Sequence, residues 1–253
     1  MKLSIVTVVL NNKVFLESCI GSVLEQDCPN VEYIIIDGGS TDGTLQVIKK
    51  YEKRINRWIS EKDQGIYDAM NKGIRLATGD VIGILNSDDF YVSKDVLSTV
   101  KNEFESRNVD SVFADMVYVK RHEPEKIVRY YRSSGFTLEK FTYGCMPAHP
   151  TFFVKRDVYE RFGLFKTDYH IASDYELMLR FLLCNRISYN YLPKVLIKMR
   201  AGGVSTRSLK SNWILNNEIL RACSENGIKT NIFKVYSKYL TKCFQLIDRP
   251  NKI

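Results

Sequence analysis

VIGILNSDDFYV, residues 81–92, indicates the fold most directly, because an apolar run of strand length ends there in Asn86 and Ser87 and then in two adjacent carboxylates. Asp88 and Asp89 repel each other, so such a pair needs a cation, a nearby donor or full solvation. A hard cation such as Mn²⁺ or Mg²⁺ meets that need and can also bridge phosphate oxygens. The alternative is a helix cap, since Ser87, Asp88 and Ser93 all suit the position before a helix.

The residues around this stretch alternate between strand and helix patterns. Continuous apolar runs predict buried strands, and apolar residues repeated every three or four positions predict helices. The predicted strands are 3–10, 33–37, 57–60, 81–85, 111–119 and 126–131, with a loop entering a further strand at 145–153. The predicted helices are 15–26, 44–51, 66–77, 94–104 and 174–184, with two more after residue 206. This order predicts an α/β fold with a mostly parallel central sheet flanked by helices.

Polar side chains follow the first four predicted strands. They are Asn11, Asp37, Asp63 and the pair Asp88 and Asp89. Ligands of open parallel sheets bind outside the carboxyl ends of the strands, so we predict that these side chains form one site. The chain has no GxGxxG and no GxxxxGK[ST] motif, so a nucleotide would be held by carboxylates and a metal ion.

Asp37 ends a buried run and opens the turn DGGSTDGT, residues 37–44. Its carboxylate can accept two hydrogen bonds from a uracil edge or from ribose hydroxyls. The alternative is a glycine-rich turn that leads into a helix capped by Thr41 or Asp42.

Asp174 opens the predicted helix DYELMLR and has two interpretations. It caps the helix, or it is a general base that deprotonates an attacking hydroxyl. An inverting sugar transfer needs one base and one stabilised leaving group, and a metal ion can stabilise a leaving diphosphate. His149, in AHPTF, is either structural or part of the same site.

Composition and charge limit the class of protein. The 253 residues suit one large α/β core, and the six scattered cysteines form no CxxC pair. The apolar run 3–10 is too short for a membrane span and lacks a cleavage site, so we expect a cytoplasmic protein. Of the net charge of +8, residues 207–253 carry +6. This argues against nucleic-acid binding by the body and predicts an acidic partner for the tail, such as a membrane surface.

The last predicted helix, 231–247, is amphipathic. Its apolar stripe is Ile232, Tyr236, Tyr239, Leu240 and Ile247, with Lys234, Lys238 and Lys242 beside it. Such a helix can lie in a membrane interface. It can also pack on the rest of the protein or on another copy of the chain, so a homo-oligomer is among the expected partners.

Five segments in this order resemble the family 2 inverting glycosyltransferases with the GT-A fold, particularly bacterial enzymes that build O-antigen, capsule and related surface polysaccharides. The segments are SIVTVVLNN, EYIIIDGGSTDGT, EKDQGIYDAMNKGIRLATGDVIGILNSDD, HPTFF and IASDYELMLR, all within residues 1–205. The resemblance implies a nucleotide-sugar donor, by analogy a UDP-sugar, with Mn²⁺ or Mg²⁺. The resemblance also implies an acceptor hydroxyl that attacks in line with the departing diphosphate. Together with the strand-end carboxylates, Asp174 and the basic amphipathic tail, it leads us to expect an enzyme at the inner face of the plasma membrane that acts on a lipid-diphosphate-linked saccharide.

The resemblance also assigns roles to individual residues. The implied nucleotide-binding residues are Asn11, Asp37, Asp63, Asn71 and Asp88, the implied metal ligands are Asp88 and Asp89, and the implied catalytic base is Asp174. Related motifs commonly read DxDD, so Asn86, in the first position, is a further candidate ligand. Met70 stands where relatives often carry Arg, so Lys72 is the candidate cation near the nucleotide.

The expected organisation is a glycosyltransferase domain, 1–206, followed by a basic helical tail, 207–253. The domain divides into a nucleotide-sugar-binding half, 1–110, and an acceptor-binding half, 111–206. The alternative function is a catalytically silent nucleotide-sugar-binding or scaffold subunit, of which Asn86 and Met70 would be signs.

Overall fold

The computed structural model describes residues 1–202 and 209–247, with side chains for 1–202 and 210–239. The strands are β1 Leu3–Val9, β2 Val31–Asp37, β3 Arg57–Ser60, β4 Val81–Ile84, β5 Phe90–Tyr91, β6 Ser111–Val119, β7 Ile127–Tyr131, β8 Phe153–Lys155 and β9 Tyr189–Arg200. The helices are α1 Lys13–Leu24, α2 Thr44–Tyr51, α3 Ile66–Leu76, α4 Val96–Arg107, α5 Arg156–Phe162, α6 Ser173–Met178, α7 Leu209–Glu225 and α8 Ile232–Ile247. A π-helical turn, Leu179–Cys184, continues α6.

The strands of the described residues form one sheet in the order β3-β2-β1-β4-β8-β6-β9-β5, and β7 pairs with β6. The first four strands are parallel, with β1 between β2 and β4. Beyond β4 the sheet is mixed, because β8 runs antiparallel to β4 and β6 while β9 runs parallel to β6. The predicted α/β fold with helices on both faces is confirmed.

Helices cover both faces of the sheet because side chains alternate along each strand. On β1, Ile5 packs with Leu16 of α1 on one face. Val6 points to the opposite face, where a Cβ on Gly73 of α3 would lie 2.2 Å from its Cγ1. Only glycine therefore allows α3 to approach β1 this closely, and the approach fixes the helix against the parallel half of the sheet.

Three predicted details differ from the structure. The strand β9 was not predicted, because Pro193 interrupts its apolar pattern. The helix α4 begins after Asp95, so Ser87 and Asp88 do not cap it; they lie in the tight turn between β4 and β5. The helix α6 begins at Ser173, so Asp174 is in its first turn rather than at its cap.

The C-terminal helices pack on the face of the sheet that carries α3 and α6. Ile219 of α7 and Val235 of α8 are buried in that core. The other side of α8 exposes Ile232, Phe233 and Tyr236, by 49%, 84% and 42%. Three residues of the predicted amphipathic pattern, Leu240, Lys242 and Ile247, have side chains that lie outside the described part of the chain.

Among the described residues, none of the helices combines the length and the apolar character needed to span a membrane.

Candidate active site

The acidic turn between β4 and β5 holds a carboxylate in an unusual environment. The N–H of Asp89 donates to the carbonyl of Asn86 at 3.0 Å, which closes the turn. The side chain of Asp89 is fully buried, and neither of its oxygens has a hydrogen-bond partner among the described residues. Burial, and then the charge of Asp88, raise the pKa of Asp89 well above its usual range. A bound divalent cation would remove this cost of burial.

The carboxylates of the acidic turn suit a hard cation, and Asn86 adds a buried Oδ1 without a partner among the described residues. Across those residues, no three His, Cys, Asp or Glu side chains converge as a complete metal cluster. Metal sites with one or two carboxylates take their remaining ligands from water and substrate phosphates. The residues present therefore fit a cation bound together with a phosphate-bearing substrate.

Arg200, the last residue of β9, is packed against the acidic turn. Its Nη1 donates to the carbonyl of Asp88 at 2.6 Å, and its Nη2 donates to Ser18 Oγ at 3.0 Å. The guanidinium also lies over the rings of Phe15 and Phe90, at 4.7 and 4.6 Å from their centroids. This buried positive charge offsets part of the charge of the turn and fixes its backbone. Sequence reasoning missed Arg200 because it missed β9.

Asp37, at the end of β2, has one occupied and one open oxygen. Its Oδ2 accepts hydrogen bonds from the N–H groups of Gly39 and Ser40, at 3.1 and 3.0 Å, and from Ser60 Oγ at 2.7 Å. Its Oδ1 is buried and has no partner among the described residues. The three donors fix the carboxylate, and Oδ1 is left to accept a hydrogen bond from a ligand.

Two further predicted residues gather around the turn after β2. Asp63 lies against Gly38, where a Cβ would come within 2.3 Å of its Oδ2, so only glycine permits the contact. The N–H of Asn11 donates to Ser40 Oγ at 2.7 Å, and its Oδ1 accepts from the N–H of Thr41 at 2.8 Å. The structure therefore brings together the predicted nucleotide-binding residues that follow β1, β2 and β3.

Asn71 and Lys72 of α3 are engaged with protein groups. The amide of Asn71 both donates to the carbonyl of Phe165, at 2.8 Å, and accepts from its N–H, at 2.9 Å. Lys72 Nζ forms ion pairs with Glu61 at 2.9 Å and Asp68 at 3.5 Å. These contacts give both residues a structural role, and their roles toward a nucleotide stay predictions.

Asp174 and His149 form a pair on the other half of the sheet. Asp174 Oδ2 lies 3.2 Å from His149 Nδ1, and Asp174 Oδ1 accepts from the N–H of Tyr175 at 2.8 Å. Burial raises the pKa of Asp174, and His149 acts in the opposite direction. A raised pKa suits a carboxylate that must accept a proton near neutral pH.

Glu218 of α7 holds the segment that leads to Asp174. Its carboxylate accepts three backbone hydrogen bonds, from the N–H groups of His170 at 2.6 Å, Ile171 at 2.8 Å and Ala172 at 2.8 Å. Hydrogen bonds to a carboxylate are roughly twice as strong as neutral ones. Glu218 is thus a positioning residue for the start of α6, and no local sequence pattern connects it with a segment so far away in the chain.

A cavity of about 530 Å³ adjoins Asp174 and His149. Tyr118 lines it, and the charges of Asp89 and Asp174 both act, after burial, to raise the pKa of that phenol. Tyr118 therefore lies within electrostatic reach of both the acidic turn and the Asp174 pair. The cavity is large enough for a small molecule placed beside Asp174 and His149.

The sequence of the chain is similar to those of known proteins. The model of glycosyl transferase family 2 matches residues 4–163. The PGL/p-HBAD biosynthesis glycosyltransferase of Mycobacterium bovis BCG is 26% identical over 223 residues, which cover 86% of this chain and 82% of that protein.

Two solved structures share the fold. Residues 1–349 of S. aureus TarS, in complex with UDP-GlcNAc, align with a TM-score of 0.70 and 18% identity over 96% of this chain and 73% of that one. This chain spans 44% of the longer TarS structure. The mannosyltransferase PcManGT from Pyrobaculum calidifontis, in complex with GDP-Man and Mn²⁺, aligns with a TM-score of 0.68 and 18% identity, covering 97% of this chain and 72% of that one.

Proposed function

The chain belongs to glycosyltransferase family 2, and we propose that it is an inverting, metal-dependent enzyme that moves a sugar from a UDP-sugar to a hydroxyl of a lipid-diphosphate-linked saccharide. The proposed setting is the synthesis of bacterial surface polysaccharide such as O-antigen or capsule. The observation that carries the proposal is the placement of three carboxylates: the buried Asp37 and Asp89 present oxygens without partners among the described residues, and the partly exposed Asp174 borders a cavity.

In the proposed site the nucleotide lies at the ends of β1 to β4. Asp37 Oδ1 accepts a hydrogen bond from the base or ribose, with Asn11 and Asp63 completing that end and Asp88 facing the ribose. Support for a nucleotide-sugar comes from the ligands named for the two structural neighbours, UDP-GlcNAc and GDP-Man.

Asp88 and Asp89, with Asn86 beside them, would hold Mn²⁺ or Mg²⁺. When bound, the cation supplies positive charge to the departing diphosphate. The Mn²⁺ of the PcManGT complex supports this proposal. Arg200 would keep the acidic turn in shape through its bond to the Asp88 carbonyl.

Asp174 is the proposed catalytic base. It takes the proton of the acceptor hydroxyl as that oxygen forms its bond to the anomeric carbon. The bond from the anomeric carbon to the diphosphate breaks on the opposite side, and its electron pair leaves with the diphosphate. His149 and Glu218 act as positioning residues, the first through the carboxylate and the second through the backbone before α6.

Release of nucleoside diphosphate from a panel of UDP-, GDP- and dTDP-sugars tests the proposal. We expect Mn²⁺-dependent release that EDTA abolishes and that Asp174→Asn lowers by about 10²-fold or more. Asp157→Asn, at an exposed ion pair with Arg161, is the matched control and should leave turnover unchanged. Equal turnover by Asp174→Asn would remove the base assignment, and binding of UDP without any turnover would favour the silent subunit.

The proposed organisation keeps a transferase domain at 1–206, divided near residue 110, and a helical tail at 207–253. We propose that the tail meets the inner face of the plasma membrane through the exposed Phe233 and Tyr236 of α8, with Lys234 between them. Phe233→Ser should weaken sedimentation with anionic vesicles, whereas Val14→Ser, at an exposed apolar site of the body, should not. Unchanged vesicle binding with a shift in sedimentation velocity would indicate contact with a second copy of the chain instead.

A further inference from the structure

The cavity beside Asp174 has a basic lining. Four of its lining residues are cationic, namely Arg129, Arg132, Lys140 and Lys238, and two are acidic, namely Glu139 and Asp174. Asp174 is the proposed base, so the rest of the lining carries a clear excess of positive charge. A neutral sugar needs hydrogen-bonding groups rather than this excess, whereas an anionic substrate is attracted by it.

Arg129, on β7, is held in a fixed position at the wall of the cavity. Its guanidinium lies over the rings of Tyr118 and Tyr131, at 5.1 and 5.4 Å from their centroids. Stacking on aromatic rings orients the planar fork, and that fork matches the oxygens of a phosphate. Arg129 is therefore preorganised for an anion rather than free to turn into solvent.

Lys238, on α8, lines the same cavity as Arg129 of β7. Only 4% of Lys238 is exposed. Its Nζ packs closely on Gly144, where an added Cβ would lie 3.3 Å away, so the ammonium is held at the wall of the cavity. An anion bound in the cavity would form a charge-assisted hydrogen bond with this ammonium. The amphipathic pattern of the sequence placed Lys238 beside a membrane-facing stripe; in the structure it faces the site.

The base and these cations border one cavity, and a cavity of this size holds one small molecule. A single small unit that carries both the attacking hydroxyl and an anionic group fits this arrangement. We infer that the cavity binds the sugar that carries the diphosphate, so that the hydroxyl that attacks belongs to the first sugar of the lipid-linked acceptor. This inference rests on the proposed function and specifies its acceptor.

The inference also places the reaction in a sequence. A sugar joined to a lipid through a diphosphate is made by transfer of a sugar phosphate from a nucleotide-sugar onto a lipid phosphate. An enzyme of that class has to act immediately before this one, and the product here is a lipid-linked disaccharide.

The test compares three synthetic acceptors with the wild-type full chain. They are a hexose joined through a diphosphate to a decyl chain, the neutral decyl hexoside, and the decyl diphosphate disaccharide, each prepared with glucose, galactose and N-acetylglucosamine. We expect kcat/KM for the diphosphate monosaccharide to exceed both others by tenfold or more. Equal use of the neutral hexoside, or preference for the disaccharide, would overturn the inference, and so would failure of every diphosphate probe to shift the melting temperature in EDTA.

Substitutions of Lys238 test whether its ammonium binds the diphosphate of the acceptor. Lys238→Met should raise KM for the diphosphate acceptor by about tenfold or more. Lys238→Arg keeps the positive charge and should raise KM by less. Lys229→Met, at an exposed position, is the matched control. Hydrolysis of the donor without acceptor should stay unchanged in the Lys229→Met control. Absence of donor hydrolysis in the wild type would count against the proposed function. Donor hydrolysis with no preference for acceptors that carry a diphosphate would count against this inference alone.

Discussion

At the scale of the residue, the pH dependence of the reaction is expected to depend on the pair formed by Asp174 and His149. Asp174, the proposed base, must be ionised to accept a proton, so activity is expected to fall as the pH drops through its pKa. That pKa is raised by burial and lowered by His149, while the charge of Glu218 raises it. The acidic limb of the pH profile therefore reports the surroundings of one carboxylate.

His149→Asn should move this limb to higher pH. The variant removes the group that lowers the pKa of Asp174, so the carboxylate stays protonated over a wider range. The measurement is kcat against pH at saturating donor and acceptor, and we expect a loss of about tenfold at the acidic end with little loss at alkaline pH. A uniform loss at every pH would mean that His149 acts only through packing.

At the scale of the element, the parallel half of the sheet could be predicted and the mixed half only in part. Apolar runs in β1, β2 and β4 mark strands buried on both faces, and the polar residues after them mark the ligand edge. The strand β9 contains Pro193, Lys194 and Lys198, so it has no continuous apolar run. Arg200, the last residue of β9, could therefore not be predicted as part of the site. Glu218 could not be predicted for another reason, because its partners lie more than forty residues away in the chain.

Glu218 links α7 to the base-bearing helix α6, and substitution should affect catalysis through that link. Glu218→Ala leaves three backbone N–H groups without their acceptor, at about 1 to 3 kcal/mol each when buried, so we expect lower stability and lower kcat with little change in donor KM. Glu218→Gln keeps the shape and removes the charge.

The Gln variant is the informative one because Glu218 raises the pKa of Asp174. Its acidic limb should move to lower pH, opposite to that of His149→Asn. Glu160→Gln, at an exposed pair with Arg156, serves as control. Shifts in the same direction for both positioning variants would contradict an electrostatic role.

At the scale of the whole molecule, acid stability is expected to depend on Glu32, which ties β1 and β2 to the start of β4. Burial acts to raise its pKa, but hydrogen bonds from Ser4, Thr78 and Lys2 prevail and lower it to about 2. The folded-state pKa is below the ordinary value of 4.5. This contribution to stability is therefore complete above pH 4.5 and is lost as the pH falls toward 2.

Glu32→Gln should lower the free energy of unfolding by about 3 kcal/mol at pH 7, since each pKa unit corresponds to about 1.4 kcal/mol. Near pH 2 the wild type and the variant should approach each other. Urea unfolding at pH 7, 4 and 2.5 measures both effects, with the exposed Glu17→Gln as control. Equal stability at pH 7 would show that the four hydrogen bonds to Glu32 only offset its burial.

The two faces of α8 have a consequence for how a lipid-linked acceptor reaches the enzyme. One face brings Lys238 to the cavity, and the other exposes Phe233. A hydrocarbon chain pulled into water costs roughly 0.8 kcal/mol per methylene group, which makes extraction of a long lipid chain prohibitive. With α8 in the proposed position at the headgroup region, the chain of the proposed acceptor would stay in the bilayer and only the sugar diphosphate would enter the cavity. The search for acceptor then becomes diffusion in two dimensions, and its rate follows the surface density of the lipid rather than its bulk concentration.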